Sequence, residues 1–558
     1  MVEKTAEEKE VFKKGYYGFL MVIMGPITFF YFKDLMEFII QQNMRLKEGD
    51  IIVENWANPP MGLFVQIYMF NITNPDDVPQ GKVPILKEVG PFVLQLQMKK
   101  TVYKWNKDEG SVEYKQELAF FVEDELSHKS VNETIYLLNM PAVGAASLLK
   151  ESGLAFLTSG IFNSIMEEET LIQKTTVRGL IAEGLKVQFL DSLAKKPFMS
   201  FLKDTFDAVL KNGTVNILYL MNRSPPMKFE VATGYKDGYS MGEVLAFEGQ
   251  RKMTQWGNEY CDMINGSEGV TFKYPIRRKI QYFFFPQFCR SLKLDYMGND
   301  DVYGIPTKKF YMDTMFLSPR IMKSNSCFCT EPVYCKYNGT IPLDKCLFGL
   351  PISVSKPHFY GADSIFRELV KGLTPDADKH QTYFHINTML AMPLQVQIGL
   401  QINMNVRVDK RFKILSKMKN MVMPIVWINV TTGIMGTGLE WVVYLSLMGP
   451  IYSARAVGIG VTCLGLLRLS RAFNFPLNKK EEVSRKATTS TKVHPIDNKS
   501  IKSTKSSEKE EKSGLKGKLS KILTIPKFKK TKKEETDEEE AASSDGQEQA
   551  QSNTVQEV

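Results

Sequence analysis

The chain has 558 residues, 43% hydrophobic and 24% charged, with a mean hydropathy of -0.19. That average is too polar for a protein of many membrane spans and too apolar for a disordered one, so one large folded region with few spans is expected. The net charge of +9 is uneven: Arg468–Lys533 holds twenty Lys/Arg against six Asp/Glu, and Glu534–Val558 holds nine acids and no base. The rest carries only +4, which gives no reason to expect nucleic-acid binding.

Along the chain, Gly15–Phe32 is an uncharged run of 18 residues, about 27 Å as a helix and close to the thickness of a bilayer's hydrocarbon core. It outruns a signal-peptide core and continues into Lys33-Asp34-Leu35-Met36-Glu37-Phe38 without a small-residue cleavage site. Residues 15–40 therefore read as an uncleaved span with a juxtamembrane extension, after a tail of residues 1–14. Phe64–Phe70 is β-rich and ends in the turn Asn71–Asp77, and Lys99–Trp105 is a second strand signal. Ala142–Met166 places Leu148, Leu149, Leu154, Leu157, Ile161 and Ile165 at helical spacing, and Leu171–Leu193 repeats such a spacing, so two or three helices interrupt a β-rich body. Gly238-Tyr-Ser-Met-Gly242 matches the GxSxG elbow of acyl hydrolases, but no helix-forming run follows Ser240 and no histidine partner is evident.

Six of the seven cysteines, Cys261, Cys289, Cys327, Cys329, Cys335 and Cys346, fall in one window rich in Gly, Pro, Asn and aromatics, which reads as loops and short strands held by disulfides. The window has no CxxC pairs and no histidine, which argues against structural zinc. His380 and His385 lack the one-turn spacing of a metal-binding helix. No metal or other cofactor is expected. Seven sequons, at Asn71, Asn132, Asn212, Asn222, Asn265, Asn338 and Asn429, share the block between residues 71 and 431, and Pro225 weakens the one at Asn222. Together with the cysteines they point to an oxidising, glycosylating compartment for residues 41–440.

Trp441–Leu467 forms the second apolar stretch, broken by Arg455. Such an arginine costs about 2.5–3.5 kcal/mol at a span's centre, within what the surrounding Leu, Val and Ile offset. Lys13 and Lys14 precede the first span and Arg468, Arg471, Lys479 and Lys480 follow the second, so both termini are expected in the cytosol. Residues 468–558 read as a disordered basic-then-acidic tail. Within it Leu515, Leu519, Ile522 and Leu523 form an apolar stripe among lysines that is suited to anionic inner-leaflet lipids. Cys463, near the cytosolic end of the second span, is a palmitoylation candidate.

Asn71-Ile-Thr-Asn-Pro-Asp76, Glu88-Val-Gly-Pro-Phe92, Phe288-Cys-Arg-Ser291, Pro357-His-Phe-Tyr360 and Trp427-Ile-Asn-Val-Thr431, in this order between two spans, resemble the class B scavenger receptor family of fatty-acid translocases, lysosomal integral membrane proteins and insect sensory-neuron membrane proteins. The likeness covers about residues 10–470. It implies an α+β protein: a large β-rich ectodomain with an apical helical bundle and an internal apolar tunnel, between two transmembrane helices. It also implies the pairs Cys261–Cys327, Cys289–Cys346 and Cys329–Cys335, where spacing alone leaves 15 pairings open.

The implied function is capture of a hydrophobic lipid, a fatty acid, sterol or carotenoid, from a lipoprotein-type carrier particle and its passage to membrane lipids without chemistry. The competing class is an adhesion or docking receptor that transfers no lipid. Residence at the plasma membrane, with endosomal or lysosomal membranes as further sites, and a homo-oligomer are both compatible with this reading. The apical residues Leu148, Leu149, Leu154, Leu157, Ile161 and Ile165 are candidate ligand contacts. Family members with a basic apex attract anionic lipoproteins, whereas the stretch here reads Met166-Glu167-Glu168-Glu169-Thr170. Such an acidic tip, whose Glu167, Glu168 and Glu169 count among the apical candidates, is expected to repel polyanions and to favour neutral lipids or a basic partner.

Overall fold

The computed structural model describes residues 6–488 except 60–61, 197–198, 209, 211–212, 221–225, 237, 239, 278, 314–316, 319–322, 331–333 and 433–438. Two compact units emerge, Met1–Lys480 and Glu481–Val558. Of the second, only the end of the last helix falls among the described residues.

Among the described residues, two helices are long and apolar enough to cross a membrane. The first, Ala6–Asn43, contains Pro26 and outruns the apolar run at both ends. The second, Leu439–Thr488, continues as helix through 468–488, which the sequence reading assigned to the disordered tail. The two pack antiparallel at glycines. A Cβ built on Gly465 would sit 2.8 Å from the Gly18 carbonyl oxygen, and one on Gly458 2.7 Å from that of Gly25. Small residues seven apart on each helix thus let the backbones meet. Arg455 lies beside Phe29 of the first helix, its guanidinium 5.7 Å from the ring centre.

Between the helices, thirteen strands among the described residues form one large sheet. Its order is Gln281–Phe285, Arg290–Val302, Ile305–Tyr311, Tyr383–Asn387, Pro393–Val406, Met421–Thr432, Leu63–Ile72, Leu86–Asn106, Ser111–Val122, Met227–Ala232 and Val244–Phe247. Ile352–Ser355 adds to the far half of Pro393–Val406 and carries Thr340–Pro342 beyond it. Ser267 bridges Glu243 on one side and Phe283 on the other, so the first and last strands of this order meet through it. A sheet that closes on itself hides its edges and encloses an interior.

Strand polarity fixes direction. Near Leu394, the strand Pro393–Val406 packs in a cluster with Leu447, Met448 and Ile451 of the last helix and Met36 and Ile40 of the first. Met404, ten residues on and about 34 Å away, packs in the main core with the helical region. That region holds Met140–Glu151, capped by the Asn139 side chain accepting from the Ala142 N–H, then Ala155–Ile165, Gln188–Ala194 and Ser200–Asp207.

Two expectations are corrected. Leu171–Leu193 is not one helix, because the β-branched Thr175-Thr176 extends Ile172–Thr176 into a strand paired with Thr134–Leu138. A single π turn follows, and Gly184, at φ +82°, breaks the chain before Gln188–Ala194. The cysteine window is also more ordered than loops and short strands, because Arg290–Val302 runs 13 residues as one strand of the sheet. Its alternating Leu292 and Leu294, both buried, are the period-two signal that the aromatic and turn residues around them obscured.

Candidate functional site

The interior follows from alternation on the central strands. Ile398, Leu400 and Ile402 pair with Val430, Ile428 and Val426 of the neighbouring strand, and these six face inward. All but Val426, which borders the smaller cavity described next, line an apolar cavity of about 380 Å³, together with Phe283, Phe284 and Phe285, Leu96, Met98 and Leu118, and Val443 at the start of the last helix. The volume falls within the roughly 300–1,000 Å³ of small-molecule sites. A second, smaller apolar cavity of about 80 Å³ lies at the helical end, lined by Met140, Pro141, Phe206, Leu210 and Met404. Leu148, Leu149, Leu154, Leu157, Ile161 and Ile165, singled out from sequence, line neither cavity.

One charge sits in the wall of the larger cavity. Glu268 Oε2 accepts from Lys100 Nζ at 2.6 Å and from the Tyr114 hydroxyl at 2.7 Å, and Oε1 accepts from Trp56 Nε1 at 2.7 Å. Both charged side chains are sealed, 0% and 1% exposed. Lys100 also lies 4.2 Å from the centre of the Trp56 ring. Burial pulls the Lys100 ammonium below its ordinary value, with Glu268 opposing.

The alternate residues of the same strands face outward into a buried polar network. Gln401 donates to Asn403 Oδ1 at 2.7 Å and to Ser355 Oγ at 3.2 Å, and accepts from the His358 N–H at 2.7 Å. His358 Nδ1 accepts from the Thr374 N–H at 3.0 Å, which leaves Nε2 to donate to Glu88 Oε2 at 2.6 Å. Trp427 Nε1 donates to the same oxygen at 2.7 Å, and Tyr68 stacks on Trp427 with centroids 3.9 Å apart. His380 stacks on His358 at 4.6 Å. Burial and the adjacent His358 bring the His380 imidazole down to about 4. Burial would raise the Glu88 carboxyl, but the hydrogen bonds from His358 and Trp427 outweigh it and hold it below the usual range. Sequence reasoning missed Glu88, Lys100, Glu268 and His358 as chemistry. A carboxylate and a lysine in alternating strands carry no local signal of burial.

The remaining candidates are placed as follows. Leu148 and Leu149 are core, 7% and 0% exposed, while Leu157 at 60% and its neighbour Phe156 at 81% face outward. Leu154, Ile161 and Ile165 are half-buried, Glu167 and Glu168 are exposed, and Glu169 is half-buried beside Asn139 and Gln173. The acidic tip has a basic neighbour that lies far away in sequence. Asn163 accepts from the Lys413 N–H at 2.9 Å and donates to the Arg411 carbonyl at 2.8 Å, which fixes a loop with Lys410, Arg411, Lys413, Lys417 and Lys419 exposed.

The cysteines are joined as Cys261–Cys327, Cys289–Cys346 and Cys329–Cys335, with Cα separations of 6.1, 5.8 and 5.8 Å. Cys463 is exposed on the last helix. Of the sequon asparagines, Asn132 is exposed, Asn71 and Asn265 are half-buried, and Asn338 and Asn429 are buried. Asn212 and Asn222 lie outside the described residues, as does the stripe Leu515–Leu523. Ser240 sits in the connection between Met227–Ala232 and Val244–Phe247, a strand-to-strand turn rather than a strand-to-helix elbow. His380 and His385 part company, the latter lying 3.7 Å from Asp300.

Comparison with known proteins decides the family: residues 16–473 match the model of the CD36 family. The chain belongs to the CD36 family. It is 27% identical over 427 residues to scavenger receptor class B member 1 of Cricetulus griseus, covering 76% of this chain and 80% of that one. It is 27% identical to sensory neuron membrane protein 1 of Apis mellifera, covering 70% and 76%, and 26% identical to lysosome membrane protein 2 of Mus musculus, covering 71% and 80%. These relatives are named as receptors or membrane proteins, and the chain is accordingly a class B scavenger-receptor-type membrane protein. In this CD36-family chain, three separated motifs meet at one point: Glu88, His358 and Trp427 come from the second, fourth and fifth motifs and share one carboxylate oxygen.

Proposed function

We propose that the protein takes up a hydrophobic lipid at its helical end and delivers it to the membrane through the interior of the sheet. The observation that carries this is the larger cavity, whose apolar lining runs along Pro393–Val406 from Ile402 to Val443 of the membrane-crossing helix. Each CH₂ moved from water into such a lining gains about 0.8 kcal/mol, so an acyl chain, sterol or carotenoid would travel down-gradient and reversibly without a chemical step. Lipid or lipoprotein-type particles are the donors and membrane lipids the acceptors.

The topology proposed is a hairpin with both termini cytosolic, supported by the basic residues flanking each span on the same side. The plasma membrane is the proposed site, with endolysosomal membranes as a second. Organic extraction of the purified, glycosylated protein followed by mass spectrometry tests the reading. A stoichiometric, recurrent lipid is expected. An empty cavity in protein that still binds its particle would instead identify a docking receptor without transfer.

A further inference from the structure

We infer that Ile352 and Ile402 form the gate of the lipid path, and that this gate passes slender acyl or polyene chains faster than fused-ring lipids. The inference rests on the lipid-transfer reading above. The two apolar cavities, about 380 and about 80 Å³, share these two lining residues and no others, so the wall between them is made where Ile352 and Ile402 stand. Any cargo moving from the helical end toward Val443 must pass there.

Both residues are tied into paired strands. Ile402 lies in the far half of Pro393–Val406, with Val426 opposite on one neighbouring strand and Val354 opposite on the other. Ile352 is the cross-strand partner of Met404. Next to Ile402, Gln401 and Asn403 bond to each other and to Ser355, both fully buried, with Asn403 bordering the smaller cavity at the register shift that follows Ile402. A one-residue slip would turn the Gln401 amide into the apolar interior and break its three hydrogen bonds, so the strand is held in this register. Among the described residues, the opening is therefore set by these two side chains. Both are β-branched, with a stiff first torsion. An extended chain needs one of them to change rotamer, whereas a rigid four-ring lipid needs both to yield at once while the strands stay fixed.

The test uses full-length protein in phosphatidylcholine vesicles. Two fluorescent probes are delivered from donor vesicles: the methyl ester of a conjugated straight-chain tetraene acid, and dehydroergosterol. Wild type is expected to transfer the tetraene ester faster. Ile402→Ala should raise sterol transfer several-fold with little change for the ester, lowering the ratio between them. Ile402→Trp should slow both by an order of magnitude, and Ile352→Ala added to it should restore transfer. An unchanged ratio in Ile402→Ala, which only shortens a side chain and keeps the fold, overturns the gate, as does wild-type transfer by a folded Ile402→Trp. Wild-type protein that carries no extractable lipid and transfers neither probe overturns the transfer reading itself, a result distinct from a wild type that transfers both without regard to residue 402.

Discussion

Removing the Lys100 ammonium would show whether the wall of the cavity is held by its buried ion pair. Lys100 Nζ and Glu268 Oε2 are 2.6 Å apart with neither side chain exposed to solvent beyond 1%. Lys100→Met keeps an unbranched stem between the Trp56 and Tyr114 rings but leaves Glu268 charged, with two neutral donors and no counter-charge. Breaking one side of a buried pair costs about 3–5 kcal/mol, whereas replacing both sides is close to neutral. Adding Glu268→Gln removes the orphaned charge and retains an acceptor for Tyr114 or Trp56, so the double variant should recover most of the loss. With an unfolding entropy of about 2 cal/mol/K per residue over roughly 400 residues, 4 kcal/mol lowers the melting temperature by about 5 °C. Differential scanning calorimetry of the wild type, the single and the double variant makes the comparison. A single variant melting within a degree of wild type, or a double melting as low as the single, would refute the ion-pair account.

Three further outcomes are expected. His380 has its proton affinity depressed to about 4 from 6.5, so the unfolded chain binds the proton more readily; stability from this group is complete above pH 6.5 and falls as pH drops toward 4, by about 1–2 kcal/mol at pH 5. Glu88, Asp376, His358 and Lys379 surround it, and His380→Gln should flatten the slope of melting temperature against pH, an unchanged slope counting against the assignment. Gly15 and Ala472 face each other, a Cβ on the former lying 3.4 Å from that of the latter, so Gly15→Cys with Ala472→Cys should cross-link in membranes, and Gly458→Leu should abolish the cross-link by parting the helices. Asn132→Gln should remove one glycan step on a gel, since that sequon is exposed, and an unshifted band in secretory cells would show that residue 132 carries no glycan.

What the sequence disclosed was what depends on near neighbours. The two apolar runs, the helical spacing over Ala142–Met166 and the strand Phe64–Phe70 are carried by composition and period over a few residues; the runs and the strand each lie within one observed element, and Ala142–Met166 is helical in two pieces, Met140–Glu151 and Ala155–Ile165. The cavity was accessible only through a family likeness. Its lining joins Leu96, Phe284, Ile402 and Val443, residues on separate strands and one helix, and nothing in the run around any of them announces the others. The long strand Pro393–Val406 shows why. Its inward residues Val396, Ile398, Leu400 and Ile402 spell an ordinary half-buried strand, but its outward Gln401 and Asn403 are buried as deeply. A polar residue at every second position reads as a solvated face unless the layer that covers it is known, and here that layer is supplied by Ser353, Ser355 and His358.

The charge of the helical end follows the same logic. Read locally, Glu167-Glu168-Glu169 makes an acidic tip, and anionic particles should be turned away. The strand pairing carries the chain back past the same helices some 240 residues later, and the Phe162–Phe412 ring contact, with centroids 5.0 Å apart, seats the loop bearing Lys410, Arg411 and Lys413 against Ala155–Ile165. Arg411 spends its charge on Asp409, whose carboxyl it holds down to about 2. No ion pair is found for Lys410 or Lys413 among the described residues. Exposed charges act over about 8 Å at physiological salt, and Asn163, which holds this loop, stands only four residues before Glu167, so the bases offset the acids on the side of the tip where the loop sits. An anionic lipid surface is thus drawn to one side of the tip and repelled from the other, which sets the orientation of the encounter. Glu167→Lys with Glu168→Lys should broaden the attractive face rather than create one. Lys410→Glu with Lys413→Glu should slow association with anionic vesicles more than the first pair speeds it, an asymmetry that a uniformly acidic tip would not produce.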